Sequence, residues 1–213
     1  MTLLEFLKTK KFFLATLTLL VLNMGQQLSG VNAIMAFAPS LLESAKFNHP
    51  DIGALFIALF AVVGSIIFAP FIARLQRKFL WILGFFSMTI FFILFVILQE
   101  LSVNPIAGLA CLCAFMFMFQ IGPGPVVWFI AVEMYPPEAN GAAQGVGLSL
   151  NWFANALIYL LFPIIEDVMH HRSLIIFVVI DILVMIYSIF IIVETLNKKS
   201  EQVLAEYNSK TCC

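Results

Sequence analysis

A chain of 213 residues that is 62% hydrophobic and 11% charged, with a mean hydropathy of +1.05, is too apolar for a soluble domain and reads as a polytopic membrane protein. A net charge of −1 gives no pointer to nucleic acid, and none is expected as a partner. No nucleophile–base pair, metal-ligand set or phosphate loop appears; Cys111 and Cys113 have no histidine near them, so no enzyme activity, cofactor or metal is expected.

Taken in order, the chain opens with Lys8, Lys10 and Lys11 ahead of an apolar run. That run reaches Asn23, Gln26 and Gln27 without a small-residue cleavage site, so it reads as a membrane helix with a polar centre, not as a signal peptide. Hydropathy predicts six spans, at about 12–42, 52–72, 79–98, 105–133, 142–165 and 173–193. With the N-terminus inside, Lys8, Lys10, Lys11, Arg74, Arg77, Lys78, Lys198, Lys199 and Lys210 fall on the cytoplasmic side, and only Lys46 and Arg172 fall outside. This bias places both termini in the cytoplasm. The resulting division is a cytoplasmic segment 1–11, a transmembrane unit 12–195 and a cytoplasmic tail 196–213. Cys212 and Cys213, at the end of that tail, are candidates for lipidation.

Polar residues inside the spans mark candidate sites. In the first, Asn23, Gln26 and Gln27 share a helical face with Gly30. Asn32 points the opposite way in an unbroken helix, so a shared cavity predicts a break near Gly30. These amides either line a solute site or bond to neighbouring helices. The second span, 52–72, ends in the basic turn Ala73-Arg74-Leu75-Gln76-Arg77-Lys78, where Arg77 either anchors topology or pairs with Glu133 at the end of the fourth span. The third, 79–98, has almost no polar side chain and reads as scaffold.

The fourth span contains Gln120-Ile121-Gly122-Pro123-Gly124-Pro125-Val126-Val127-Trp128. Two prolines without N–H groups leave the carbonyls of Phe119 and Ile121 without their helical donors, which predicts a broken helix. Broken helix at membrane depth is tolerated where it is buried in protein or lines a wet cavity, and it often forms transporter sites. Gln120, Gly124 and Trp128, four apart, suit a polar non-ionic solute such as a sugar; the alternative is a packing kink. In the fifth span, Gly141 and Gly145 permit close helix contact, and Gln144, Asn151 and Asn155 form a stripe beside Trp152 that fits either a cavity wall or interhelical hydrogen bonding. Asp181, in the middle of the sixth, is a functional candidate for which no partner can be named, and proton coupling is the role it suggests.

Gln26-Gln-Leu-Ser-Gly-Val-Asn32, Gly122-Pro-Gly-Pro-Val-Val-Trp128, Asn151-Trp152 and Glu194-Thr195, in this order and on these helices, resemble the C-terminal six helices of facilitative, glucose-type sugar transporters of the major facilitator superfamily. Leu3-Leu-Glu-Phe-Leu7 resembles the end of that family's central cytoplasmic loop, so the chain begins where a second half begins. The resemblance implies an all-α membrane fold that facilitates diffusion of a hexose or related sugar, in the plasma membrane. It implies that Gln26, Gln27 and Asn32 bond sugar hydroxyls, that Trp128 packs on the sugar, that Asn151 and Trp152 lie along the cavity, and that Arg77 and Glu133 belong to an inner gate. Gln120 stands where the family usually has Glu, and Ala61 where it usually has a sugar-contacting Asn. Ala73 and Asn140 replace charged gate residues, so an Arg77–Glu133 pair is expected to be isolated. The chain would act with an N-terminal half or as a homo-oligomer. A non-transporting membrane protein and a proton-coupled symporter using Asp181 are the alternatives.

Overall fold

The computed structural model describes residues 1–211; the lipidation candidates Cys212 and Cys213 lie outside them. The described chain is built from helices. A short α1 (Leu3–Lys8), with Thr2 and Glu5 forming a capping box, precedes α2 (Phe13–Leu28) and α3 (Val31–Ser44). Then follow α4 (Pro50–Ile72), α5 (Arg77–Glu100), α6 (Pro105–Ile121), α7 (Pro123–Glu133), α8 (Pro137–Met169), α9 (Leu174–Phe190) and α10 (Ser200–Thr211).

Five continuous helical stretches are long and apolar enough to cross a bilayer, and the last of them, Pro137–Phe190, is 54 residues long. At about 1.5 Å per residue it is far longer than one crossing requires. A turn at His170, with φ 50° and ψ −132°, splits it into α8 and α9. The contacts of α2 show that the two run in opposite directions. Gln27 of α2 meets Asn151 of α8 while Asn23 packs on Gly147, so α2 and α8 are parallel. Thr18 meets Tyr187 of α9 while Gly30, beyond α2, meets Phe177, so α2 and α9 are antiparallel. The fold is therefore six crossings, α2–α3, α4, α5, α6–α7, α8 and α9, as the hydropathy predicts. The fifth outruns its predicted limits at both ends, as α8 runs from Pro137 to Met169 with Pro163 inside it.

Two apolar clusters fill the bundle. One, at the lysine- and arginine-rich end, joins Phe6, Trp81, Phe85, Ile130, Tyr135 and Tyr207. The other, toward the opposite end, joins Ile34, Met88, Phe92, Phe115, Phe162 and Phe177. Helix α5 runs through both: half of its crossing stretch is buried, against 22% for α4. Its contribution to both clusters fits the scaffold role its composition predicts. The tail is not simply a polar extension. Helix α10 folds back beneath the bundle, burying Val203, Leu204 and Tyr207, and Lys210 donates to the carbonyls of Phe190 and Ile191 at the end of α9.

Candidate functional site

Two crossings are broken inside the bundle, and Gln26, one turn before the first break, reaches the second. Between α2 and α3, Ser29 stays helical and Gly30 turns to φ 91°, a left-handed conformation that suits glycine. The Ser29 hydroxyl donates 2.6 Å to the Gln26 carbonyl at the end of α2, and Ile34 N–H donates 3.0 Å to the Gly30 carbonyl as the first bond of α3. Between α6 and α7 the backbone turns at Gly122, with φ −126° and ψ −85°, and Pro123 opens the next helix where a missing N–H does no harm.

The amides of the first crossing bind these pieces together. The Gln26 side chain donates to the carbonyls of Pro123 (3.0 Å) and Gly124 (2.9 Å), and its oxygen accepts from Asn151 Nδ2 at 2.7 Å. Asn151 Nδ2 also donates to the Asn23 carbonyl at 3.1 Å, while its Oδ1 accepts from Gln27 Nε2 at 2.6 Å. Across the Gly30 break, Asn32 Nδ2 donates to Gln27 Oε1. The result is a relay of four amides drawn from α2, α3 and α8 and resting on the α7 backbone. Gln26 and Asn151 are buried, whereas Gln27 and Asn32 are half-buried, so the relay runs from the interior to an accessible rim. Amides carry donors and acceptors together, and a relay of them polarises its members and holds the rim groups in place for a hydroxyl-rich ligand.

The sequence-derived candidates therefore separate into groups. Gln26, Gln27, Asn32 and Asn151 are joined directly, and the predicted break at Gly30 is what lets Asn32 reach the others. Gln120 is half-buried, and its Oε1 lies 2.9 Å from where a β-carbon on Gly124 would stand, so it borders the same backbone that Gln26 grips. Trp128 and Trp152 take no part in the relay; they are 39% and 62% exposed. Asn23 is structural, donating to the Leu19 carbonyl at 3.0 Å. Gln144 bonds to Asn140 at 3.3 Å and lies away from the relay, while Ala61 is buried and brings no amide to it.

At the basic end, Arg77 Nη2 and Glu133 Oε1 are 3.1 Å apart, as their shared side predicts. The expected isolation of this pair is wrong. Glu133 Oε2 accepts from Thr195 Oγ1 at 2.5 Å, Arg77 also donates to the Ile72 carbonyl, and its guanidinium lies 4.8 Å from the Phe129 ring. Beside it, the Glu194 carboxylate accepts from the backbone N–H groups of Arg77 and Lys78, both near 3.0 Å, and so caps the N-terminus of α5 where charge and dipole agree. Nothing in the sequence shows that Glu194 would cap a helix 116 residues away.

Six crossings, two of them broken and tied together by amides, make an all-α membrane bundle that resembles one half of a major facilitator superfamily transporter. Comparisons with known proteins agree. The sequence model of the family described as sugar (and other) transporter matches residues 1–207, and the chain belongs to that family. Relatives include the mouse solute carrier family 2, facilitated glucose transporter member 4, 25% identical over 97% of this chain and 42% of its own length. Member 2 of the same group from pig is 25% identical over 92% of this chain and 38% of its own length. Among solved structures, the inward open xylose transporter XylE from E. coli superposes with a TM-score of 0.80 at 20% identity, over 90% of this chain and 41% of that one. The chain thus spans about two-fifths of the length of the relatives it matches.

Proposed function

We propose that this chain is the C-terminal six-helix half of a facilitative transporter for a hexose or related sugar. The observation that carries the proposal is the amide relay from Gln26 through Asn151 and Gln27 to Asn32, because it places neutral donors and acceptors on a rim between two helix breaks. Hydrogen-bonding groups with no cation among them favour a hydroxylated, uncharged solute over an anion. The relatives named as facilitated glucose transporters support the reading, and so does the XylE structure titled as bound to 6-bromo-6-deoxy-D-glucose. Trp128 and Trp152 supply exposed indole faces for the C–H groups of a sugar ring, and Gln120 flanks the α6–α7 break. Arg77 and Glu133, held by Thr195, form the inner gate.

The partner is an N-terminal half, carried upstream or supplied separately, or a second copy of this chain. The face that would receive it includes Gly141 and Gly145, around which there is open space. A plasma-membrane location is what the family resemblance implies, and the positive-inside bias supports cytoplasmic placement of both termini. The residues of segment 1–11 and of tail 196–213 flank the transmembrane unit on that side.

The test is uptake of labelled hexose into transporter-null vesicles by this chain alone and together with an N-terminal half. Gln27→Ala should weaken uptake by about 0.5–1.5 kcal/mol for a neutral hydrogen bond, and more where Asn151 or Asn32 is left unpaired. Absence of uptake and of binding for every hexose, polyol and related sugar would leave the non-transporting reading in its place.

A further inference from the structure

Asp181 is fully buried, and neither of its carboxyl oxygens has a hydrogen-bond partner. It is not on the lipid side of α9, where Val179 and Leu183 are exposed. It belongs to the buried stripe Phe177, Asp181, Val184 and Ser188, which faces α2 and α5. Val184 packs against Gly25, and Ser188 accepts from the Trp81 indole N–H at 2.9 Å. Phe177, one turn away on the other side, stands 2.9 Å from where a β-carbon on Gly30 would be. Asp181 therefore sits between the contact that fixes α2 and the contact that covers its hinge.

Among the described residues no charged group pairs with it; His171 and Arg172, in the turn before α9, pair with Glu100 instead. Within Phe13–Leu28 of α2 there is no ionisable side chain, and the same is true of α5 between Phe79 and Gln99. On the facing part of α8 the only titratable group is Tyr159, which is exposed and packs on Phe37. On α9 itself it is Tyr187, whose hydroxyl is 3.0 Å from that of Thr18. The nearby hydroxyls are occupied by backbone carbonyls: Ser29 by Gln26, Thr89 by Phe85 and Ser188 by Val184. An unpaired carboxylate is not tolerated in such surroundings, and a wholly unsatisfied buried acid points to a second state in which it is satisfied.

We propose that Asp181 is a proton-binding site that couples protonation to the hinge at Gly30 and, through Asn32, to the amide relay. In the packed state the carboxyl group keeps its proton and is sealed between α2 and α5. When α3 pivots at Gly30, Phe177 loses its seat, water reaches Asp181, the O–H bond breaks and the proton leaves to water, with the carboxylate left behind. The packed state is also the one in which Asn32 meets Gln27. Proton and sugar thus favour the same state, and each must strengthen binding of the other by the same factor. The sugar-linked part rests on the transporter reading above.

The test uses the full chain in lipid nanodiscs with D-glucose as the probe. Infrared difference spectra should show a protonated-carboxyl band that is lost as pH rises and restored by glucose. Glucose affinity should fall roughly 5- to 150-fold over the same rise. Asp181→Asn should lack the band and hold the acidic-pH affinity at every pH, while Glu166→Gln, which alters the other largely buried carboxyl, should leave the response intact. A band indifferent to pH together with a flat glucose affinity overturns the proposal and leaves the sugar site standing. Loss of the response in Glu166→Gln overturns it as well. If glucose binds at no pH, the transporter reading fails, and the pH response of the band alone decides whether Asp181 exchanges a proton.

Discussion

The two helix breaks are tied together by one glutamine, yet they are built differently. At Gly122 the chain is pressed backbone to backbone: a methyl group there would overlap the Leu80 carbonyl oxygen, and one on Gly84 would overlap the Pro123 ring. At Gly30 the neighbours are side chains, the Phe177 and Phe92 rings at 2.9 Å. Aromatic rings can shift by rotating about their side-chain bonds, whereas the main chain of α5, held in its helix by its own hydrogen bonds, cannot. The Gly122 break is therefore a fixed elbow and the Gly30 break a joint. Two motifs that look equivalent in the sequence, each a glycine interrupting an apolar run, differ mechanically because of what lies opposite them.

Substitutions separate the elbow from the joint. Gly122→Ala should have the largest effect, about 3 kcal/mol of destabilisation from overpacking against backbone, seen as a lowered thermal midpoint in detergent and poor recovery of folded chain. Gln26→Leu should follow. It removes the bonds to the Pro123 and Gly124 carbonyls and one of the three bonds of Asn151, costing about 2 kcal/mol and loosening the attachment of α7 to α2, which hydrogen exchange of residues 123–127 would register. Gly30→Ala should cost less, about 1–2 kcal/mol for the left-handed backbone, while suppressing hexose uptake out of proportion to that loss. If instead Gly30→Ala proves more destabilising than Gly122→Ala, the assignment of joint and elbow is reversed.

The smallest effect is expected far from both breaks. Glu100, past the end of the 79–98 crossing, takes bonds from Arg172 at Nε and at Nη2 (3.0 Å) and lies 3.2 Å from His171. Those donors, Arg172 first, hold its carboxyl down at about 2, below the usual 4.5. A carboxyl lowered on folding contributes stability above its ordinary value and loses it as pH falls toward 2. The pair is exposed, so the contribution is slight. The difference in thermal midpoint between wild type and Glu100→Gln should be small at neutral pH and vanish on acidification through that window.

Much of this was legible from residue types. The six spans follow from hydropathy, because a bilayer demands about 20 apolar residues per crossing. Both breaks follow from local chemistry: Gly30 from the angular mismatch of Asn32, Gly122 from two prolines that cannot donate. The meeting of Gln26, Gln27, Asn32 and Asn151 required only that three helices converge. What could not be read is contact between distant segments with no periodic signature. Glu194 reaching the N-terminus of α5, Thr195 joining Glu133 and α10 folding under α9 depend on how the helix ends are placed, which no local pattern encodes. Nor could the sequence show that Trp152 stays exposed while its neighbour Asn151 is buried, since adjacent residues on a helix point about 100° apart and only the packing decides which faces inward.

The central helix α5 has a consequence for the order in which the molecule comes into being. Its partners include Ser188, which receives the Trp81 indole, and Glu194, which satisfies its first N–H groups. Both lie near the end of the chain, and a ribosome makes Glu100 long before Leu174. During synthesis α5 therefore waits in the membrane with an uncapped end and an empty flank, and a nascent chain halted before α9 leaves Trp81 without Ser188. The crossing that covers that flank is made only after α6–α7 and α8 have been threaded.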